Sequence, residues 1–427
     1  MNETIYDIIG IGIGPYNLGL AALIDEQTEL HALFFEQNDY LTWHPGMLIN
    51  GTDLQVSFLA DLTTFANPKS KYTYLNYLHT KNRLYPFFFY HQFEIPRQEY
   101  DAYLSWVAKQ LSSCQFGHQV TNVEFVNDLY RIEVKDNESK TRHFLTRNIV
   151  MGTGAKPNTV LDLSAFPSHD VHHSSQYLYH KEDTIKANNI TIIGSGQSAA
   201  EIFLDLFKNQ DDCHYQLSWF TRSPGHVQLD HSKLGQEIFS PDYVKYFHQL
   251  DYSTRTKALE QLAPLRNGVQ KDTLHQIYHE LYHRSINEPN LAVHIQPLTS
   301  LEAIESKNGH YLLNMQQWQQ GKSFSWKTNK IILATGYKPN IPEWFNQKIA
   351  PLMVYEDQNR FKVSEDHQLI FKDGSNSRFY THTNLEHSHG SSATNLGLAV
   401  DRNIQIINSI MGKEVYQRQT GGIFTSF

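Results

Sequence analysis

Twice in this chain of 427 residues an apolar run ends in a glycine-spaced turn and a helical pattern follows, and that recurrence constrains the fold more than any other feature. The first run, Tyr6 to Ile9, turns through Gly10-Ile11-Gly12-Ile13-Gly14 and continues after Pro15 with Leu18, Leu20, Ala21 and Leu23. The second, Ile190 to Ile193, turns at Gly194-Ser195-Gly196 and continues with Ala199, Ala200, Ile202, Phe203 and Leu206. Strand, tight turn and helix in that order predict an α/β fold with two Rossmann-like dinucleotide-binding domains.

The first turn carries the stronger chemistry. Glycine lets a pyrophosphate approach the backbone N–H groups at a helix start, and Pro15 suits the first helical turn because its missing N–H would have no partner there. Glu36 closes the next apolar run, Ala32 to Phe35, where a carboxylate accepts hydrogen bonds from a ribose. At the second turn, Gly194-Ser195-Gly196-Gln197-Ser198, no acidic residue ends the strand that follows. Arg222 stands there instead, where a guanidinium pairs with a 2′-phosphate, which favours NADPH; the plainer alternative is a solvated surface charge. A flavin in the first site and a nicotinamide in the second make a flavoprotein that takes hydride from NADPH.

Bulk properties narrow the class. A formal charge of -8 argues against a nucleic-acid partner, and Cys114 and Cys213 alone supply neither a disulfide framework, a zinc site nor a dithiol redox pair. No membrane span and no secretory signal are evident, so a cytoplasmic protein is expected. Between the turns, Arg97 to Leu111 reads as a helix with Tyr100, Tyr103, Leu104 and Val107 on one face, and Gly117 to Val134 as strand. Residues 230–287, with Leu274, Ile277, Leu281 and Tyr282 at helical spacing, predict a small helical substrate lobe. The expected division is an FAD domain of residues 1–170 and 331–427, an NADPH domain of residues 171–229 and 288–330, and that lobe.

Beyond the two turns, Trp43-His44-Pro45-Gly46-Met47, Leu54 to Leu59, Leu75-Asn76-Tyr77-Leu78 and Leu333-Ala334-Thr335-Gly336-Tyr337 occur in order along the chain. From about Asp7 to Arg402 the sequence resembles the siderophore-biosynthetic N-hydroxylating monooxygenases, of which the lysine N6- and ornithine N5-monooxygenases are representative. The resemblance implies FAD and NADPH as cofactors, a small primary amine and dioxygen as substrates, oxygen transfer through a C4a-hydroperoxyflavin, and a homo-oligomer. It also implies flavin contacts along Glu36 to His44, Trp43 included, at Gln55 and Val120, and at Ser391, Ser392 and Ala393. It further implies NADPH contacts at Ser195 to Ser198 and Arg222. Each has a bland alternative: Trp43 as core, His44 as a satisfied buried imidazole, Gln55 as a turn amide. No catalytic base is singled out.

One departure from the family pattern bears on substrate. Lysine and ornithine hydroxylases carry a lysine at the position of Ala60, where it pairs with the substrate carboxylate; alanine cannot. Gln236 and Thr394, also substrate-facing by resemblance, offer neutral hydrogen bonds. A decarboxylated amine is therefore expected: histamine, putrescine or cadaverine, with Asp61 or Glu237 able to meet a second ammonium. L-Lysine or L-ornithine remains the alternative if Lys69, Lys71 or a backbone nest supplies the charge. Asn329, where the family favours aspartate, is a second departure. Phe166-Pro167-Ser168 with His172 only partly matches the motif of carbonyl-inserting or sulfur-oxidising relatives. A non-catalytic dinucleotide-binding regulator is the alternative of another class.

Overall fold

The computed structural model describes residues 4–288 and 290–427. Its first unit is built on a seven-stranded sheet whose centre is the strand Ile5–Ile11, fully covered at Ile8 and Ile9. That strand pairs in parallel with Ala32–Phe35 on one side and Thr141–Met151 on the other. Its β-branched residues suit a position covered on both faces. The meander His118–Val126, Leu129–Asp136 and Thr141–Met151 extends the sheet antiparallel. The meander holds the last of these strands only as far as Thr146, and Phe379–Thr381 takes up its far end, pairing in parallel with Ile149 to Met151. The helix Pro15–Gln27 lies against the sheet with Leu18, Leu20 and Leu23 buried, and the predicted face of the helix Arg97–Ala108 is buried at Tyr100, Tyr103, Leu104 and Val107.

The second unit is a sheet of five parallel strands in the order Val171–His173, Lys330–Leu333, Asn189–Ile193, Gln216–Phe220 and Val293–Gln296. An antiparallel meander, Thr299–Lys307, His310–Gln317 and Lys322–Thr328, packs beside it. The expected domain limits need correcting here. A boundary at residue 331 cuts the strand Lys330–Leu333, which lies inside the second sheet. Phe166, assigned to the first domain, packs with Tyr311 of the meander, and Lys330 pairs with Asp170 at 2.7 Å. The chain instead crosses between units at Ala155–Pro157 and Tyr337–Pro339, which pair antiparallel with one another.

The helical segment 230–287 is not one lobe. The helix Lys271–Asn287 buries Ile277 against the helix Gln197–Cys213 and shares its core with the second sheet. The helices Pro241–Gln249 and Tyr252–Gln261 pack instead on the first unit. There His248 Nε2 lies 2.9 Å from Val363 O, and Arg255 pairs with Glu356 at 2.8 Å. Apolar periodicity reveals that each helix has a covered face but not what covers it.

Candidate active site

At the first glycine turn, Gly12 has φ +86° and a Cβ there would stand 2.5 Å from the Gly152 carbonyl oxygen, so a side chain is excluded both by conformation and by contact. Gly14 caps the helix Pro15–Gln27 with no side-chain hydrogen bond, and a Cβ on it would meet nothing within 4 Å. The helix start is therefore open at Gly14 and free of a side-chain cap, as a pyrophosphate site requires. Glu36 Oε2 accepts the Ile13 N–H (3.0 Å) and Oε1 accepts Asn38 N–H (3.0 Å) and its side-chain amide (2.8 Å). The carboxylate thus ties the turn to the strand end and leaves lone pairs for a ribose.

The second turn repeats the geometry. Gly194 has φ +146°, and a Cβ there would lie 2.2 Å from the Ala334 carbonyl oxygen. Gly196 caps the helix Gln197–Cys213 with neither a side-chain bond nor a neighbour within 4 Å of a would-be Cβ. Ser195 Oγ lies 3.1 Å from Ser223 Oγ, and Ser198 is half-buried in the first turn of that helix. Arg222 is exposed just past the strand Gln216–Phe220, its carbonyl held by Trp318 Nε1 at 2.8 Å. The Gln197 side chain also ties the turn to neighbouring protein, donating to Glu201 (2.8 Å), Gln270 (3.0 Å) and Thr273 (3.0 Å) and accepting the Gln270 N–H (2.7 Å). Its Oε1 keeps one lone pair beyond the Gln270 N–H.

The structure carries Ser391, Ser392 and Ala393, all buried, back to the first turn. Ala393 O accepts from Arg402 Nη2 (2.7 Å) and from the Tyr16 hydroxyl (3.5 Å), and the Arg402 guanidinium lies 4.8 Å from the Tyr16 ring centre. Sequence reasoning missed both residues. The available signals were an aromatic immediately after Pro15 and an arginine one turn before Ile406 in the buried helix Ala399–Met411. Trp43 is half-buried, its ring edge-on to Tyr100 (5.2 Å) and His44 (4.7 Å). His44, with φ 52°, is reached by solvent yet densely surrounded by protein. Burial and the nearby Arg97 guanidinium push its imidazole down to about 4, so it is neutral at physiological pH. Gln55 is exposed on the strand Asp53–Ser57, and Val120 is half-buried in the strand His118–Val126.

A second missed feature joins the units. Arg97, at the start of its helix, meets the Glu201 carboxylate with both terminal nitrogens, at 2.7 and 2.6 Å, while Nε donates to Asp53 O at 3.2 Å. The side chains are 13% and 3% exposed, so this ion pair is largely withdrawn from water.

Ala60 is buried and faces Gly397, whose would-be Cβ lies 3.7 Å from the Ala60 methyl. Thr394 is exposed three residues before Gly397, and Gln236 Nε2 donates to Asp230 O at 2.7 Å. The expectation that Asp61 or Glu237 meets a second ammonium is corrected. Asp61 accepts from the Thr63, Thr64 and Tyr74 amides and the Thr64 hydroxyl, and burial, opposed by these bonds, raises its pKa. Glu237 accepts from the Phe424 and Thr425 amides and the Thr425 hydroxyl. Of the two candidate cations, Lys71 pairs with Asp25 at 3.0 Å and Lys69 is exposed. Among the described residues no cluster of three or more His, Cys, Asp or Glu could hold a metal, and no helix is long and apolar enough to cross a membrane.

Two sheets, one mixed with a parallel centre and one fully parallel, each carrying a glycine-led helix start without a side-chain cap, define a protein with two dinucleotide-binding units. Comparison with known proteins narrows this. The family described as L-lysine 6-monooxygenase/L-ornithine 5-monooxygenase matches residues 4–339. A putrescine N-hydroxylase of Acinetobacter baumannii is 36% identical over 417 residues, 97% of this chain and 92% of that protein. The crystal structure of the FAD-bound cadaverine monooxygenase of desferrioxamine biosynthesis from Erwinia amylovora superposes with a TM-score of 0.94 at 33% identity, covering 100% of this chain and 99% of the other. The ornithine N-hydroxylase of Kutzneria sp. 744, with reduced FAD, NADP+ and L-ornithine, gives 0.89 at 27% identity, covering 96% and 99%. The chain belongs to the L-lysine 6-monooxygenase/L-ornithine 5-monooxygenase family. It is a flavin-dependent N-hydroxylating monooxygenase whose cofactors are FAD and NADPH, which sets aside the non-catalytic alternative.

Proposed function

We propose that this enzyme hydroxylates one primary amine of a small unbranched diamine, putrescine or cadaverine, in the cytoplasm, as a step of siderophore biosynthesis. The observation that carries the reading is Ala60, a buried methyl facing Gly397 where a carboxylate-binding cation would stand. Lys71 pairs with Asp25 and Lys69 is exposed to water, so an α-carboxylate brought beside Ala60 would meet a methyl in place of the cation. Relatives named for putrescine and cadaverine support the diamine over histamine.

The balance is R–NH2 + O2 + NADPH + H+ → R–NHOH + H2O + NADP+. FAD, reduced by NADPH, supplies the activation of dioxygen and the transfer of one oxygen atom to the amine nitrogen. The chain's own residues bind and orient. The uncapped helix starts at Gly14 and Gly196 would take the two pyrophosphates, Glu36 a flavin-side ribose and Arg222 the 2′-phosphate. Trp43, His44, Gln55, Val120 and Ser391 to Ala393 would complete the flavin cradle, with Ala393 fixed by Arg402 and Tyr16. His44, neutral in this setting, brings no cation toward the bound groups. The reacting amine needs its lone pair, and a pocket that buries it favours loss of the ammonium proton.

The test measures hydroxylamine product directly, with wild type and Ala60→Lys, over putrescine, cadaverine, histamine, lysine and ornithine. Wild type should favour a diamine, and Ala60→Lys should weaken that preference. Greater efficiency on lysine or ornithine than on every decarboxylated amine would overturn the reading.

A further inference from the structure

The arginines that this protein withdraws from water meet carboxylates, with one exception. Arg97 pairs with Glu201, and Arg255 pairs with Glu356 at 2.8 Å. Arg402 is 3% exposed and makes no ion pair among the described residues. Its Nη2 donates to Ala393 O (2.7 Å) and its Nη1 to His382 O (3.4 Å), the guanidinium carbon lies 4.8 Å from the Tyr16 ring centre, and Nε has no partner. The adjacent carboxylate, Asp401, is committed to Arg418 at 2.9 and 3.0 Å and to Gln405 at 2.9 Å. An arginine does not shed its proton inside a protein, and a buried charge received only by carbonyls and a ring is costly. Neighbouring groups do not offset it. Burial, with Arg402 adding to it, holds the His367, His382 and His389 imidazoles well below their ordinary value and therefore neutral, and burial raises the Tyr16 hydroxyl.

The place of this cation says what it answers to. Tyr16 is the second residue of the helix Pro15–Gln27, whose start is open at Gly14, and Ala393 closes the returning segment Ser391 to Ala393. Arg402 thus lies between the two stretches of chain assigned to the flavin, and Asn403 Nδ2 fixes the helix Ala399–Met411 there by donating to Tyr16 O at 3.0 Å. Resting on that flavin assignment, we infer that Arg402 is the fixed cation that holds the negative charge of the reduced flavin. A hydride carries two electrons and one proton, FAD + NADPH → FADH− + NADP+, so the ring system gains a negative charge that its oxidised form lacks. A guanidinium fixed behind the flavin segment, where water is withdrawn, favours the reduced form. The pyrophosphate is charged in both redox states and has the open helix start at Gly14, whereas the Arg402 donors go to Ala393 and His382. Acting through Ala393 and through its charge, Arg402 is a positioning residue.

Midpoint potentials of the full FAD-loaded chain, read by equilibrium reduction against a reference dye without oxygen or amine, test this. FAD per chain, the dissociation constant of oxidised FAD and far-ultraviolet circular dichroism are measured alongside. Arg402→Met should bind reduced FAD at least about tenfold more weakly relative to oxidised FAD, a potential lower by about 30 mV or more for a two-electron couple. Arg402→Lys, which returns the charge, should recover more than half of that shift. Tyr16→Phe removes the second bond to Ala393 O but keeps the cation, so its potential should match wild type. If Arg402→Met does not retain FAD, Arg402→Gln, which keeps a donor for Ala393 O, is read in its place. An unchanged potential with both redox forms bound more weakly would give Arg402 to the pyrophosphate or to the scaffold and overturn the proposal. A lysine variant as low as the methionine one, or an equal shift in Tyr16→Phe, would overturn it too. No amine enters the measurement, so the diamine reading stands or falls separately. Gly12→Val losing FAD while Arg402→Met keeps the wild-type potential would retain the flavin site and overturn the role of Arg402 alone.

Discussion

Replacing Glu201 by alanine removes one end of the ion pair that joins the helix Arg97–Ala108 of the first unit to the helix Gln197–Cys213 of the second. An exposed pair would contribute about 0 to 1 kcal/mol, but side chains 3% and 13% exposed and a two-point contact at 2.6 and 2.7 Å do not describe an exposed pair. Burial pushes the Glu201 carboxyl up while Arg97 pulls it back, so the charge of Glu201 depends on its arginine partner. Glu201→Ala leaves Arg97 with the Asp53 carbonyl as its remaining partner, and breaking such a pair costs about 3 to 5 kcal/mol. Removing both charges in Arg97→Met/Glu201→Leu should recover most of that loss. Urea denaturation of the FAD-loaded protein, followed in parallel by circular dichroism and flavin fluorescence, reads the effect. Because the pair spans two units, Glu201→Ala should also separate the two transitions. A Glu201→Ala midpoint equivalent to less than about 1 kcal/mol of loss, or a double variant less stable than the single one, would refute the reasoning.

Gly12→Val should lose FAD, since it places a β-branched residue at φ +86° with its Cβ 2.5 Å from Gly152 O; a folded variant with unchanged flavin content would remove the pyrophosphate assignment. Arg222→Ala should weaken NADPH by about tenfold to a hundredfold, the size of a lost charge-assisted hydrogen bond, and leave NADH unchanged, as read from flavin reduction kinetics. Equal losses for both would mean that Arg222 does not read the phosphate. His226 packs at a tilt on Trp219 with ring centres 3.7 Å apart, neither ring nitrogen has a partner, and burial pushes it down to about 4. The folded value lies below that of a free imidazole, so the unfolded chain binds the proton more readily. This contribution to stability is present above pH about 6.5 and is lost as pH falls toward 4. His226→Phe should flatten that part of the urea midpoint against pH, and an unchanged slope would count against it.

What was legible in the sequence follows from what local chemistry encodes. Gly12 and Gly194 announce backbone conformations that other residues resist, so both turns could be placed before any coordinate was known. Tyr100, Tyr103, Leu104 and Val107 announce one covered helix face, and that face is covered. Partners are a different matter. Gln197 sits where a nucleotide contact is expected, and its amide also binds Gln270 and Thr273, some seventy residues on. Asp61 and Glu237 are acids near the substrate segment, but Asp61 accepts four bonds and Glu237 three from nearby amides and hydroxyls, which no spacing rule reveals. Ala60 was informative only as a departure from a pattern. Its place opposite Gly397 required the fold.

The split of residues 230–287 has a mechanical consequence. The helices Pro241–Gln249 and Tyr252–Gln261 are fastened to the first unit through Val363 and Glu356, while the helix Lys271–Asn287 belongs to the core of the second. Between them, Val269 exchanges hydrogen bonds with Val227 and Leu229 (3.0 and 2.9 Å), and Gln270 is locked to Gln197. The segment therefore works as a strap across the units rather than as a lobe on one of them. Any rotation of the second unit away from the first must stretch the chain between Gln261 and Lys271, bend the paired crossings at Ala155–Pro157 and Tyr337–Pro339, and part Arg97 from Glu201. Gln197 and Glu201 lie one turn apart on the helix whose uncapped start would receive the second nucleotide, and Glu201 accepts from both Arg97 and Gln197. The geometry that presents that helix start is thus held by the same carboxylate that joins the two units. Its loss should be felt in nucleotide positioning as well as in stability.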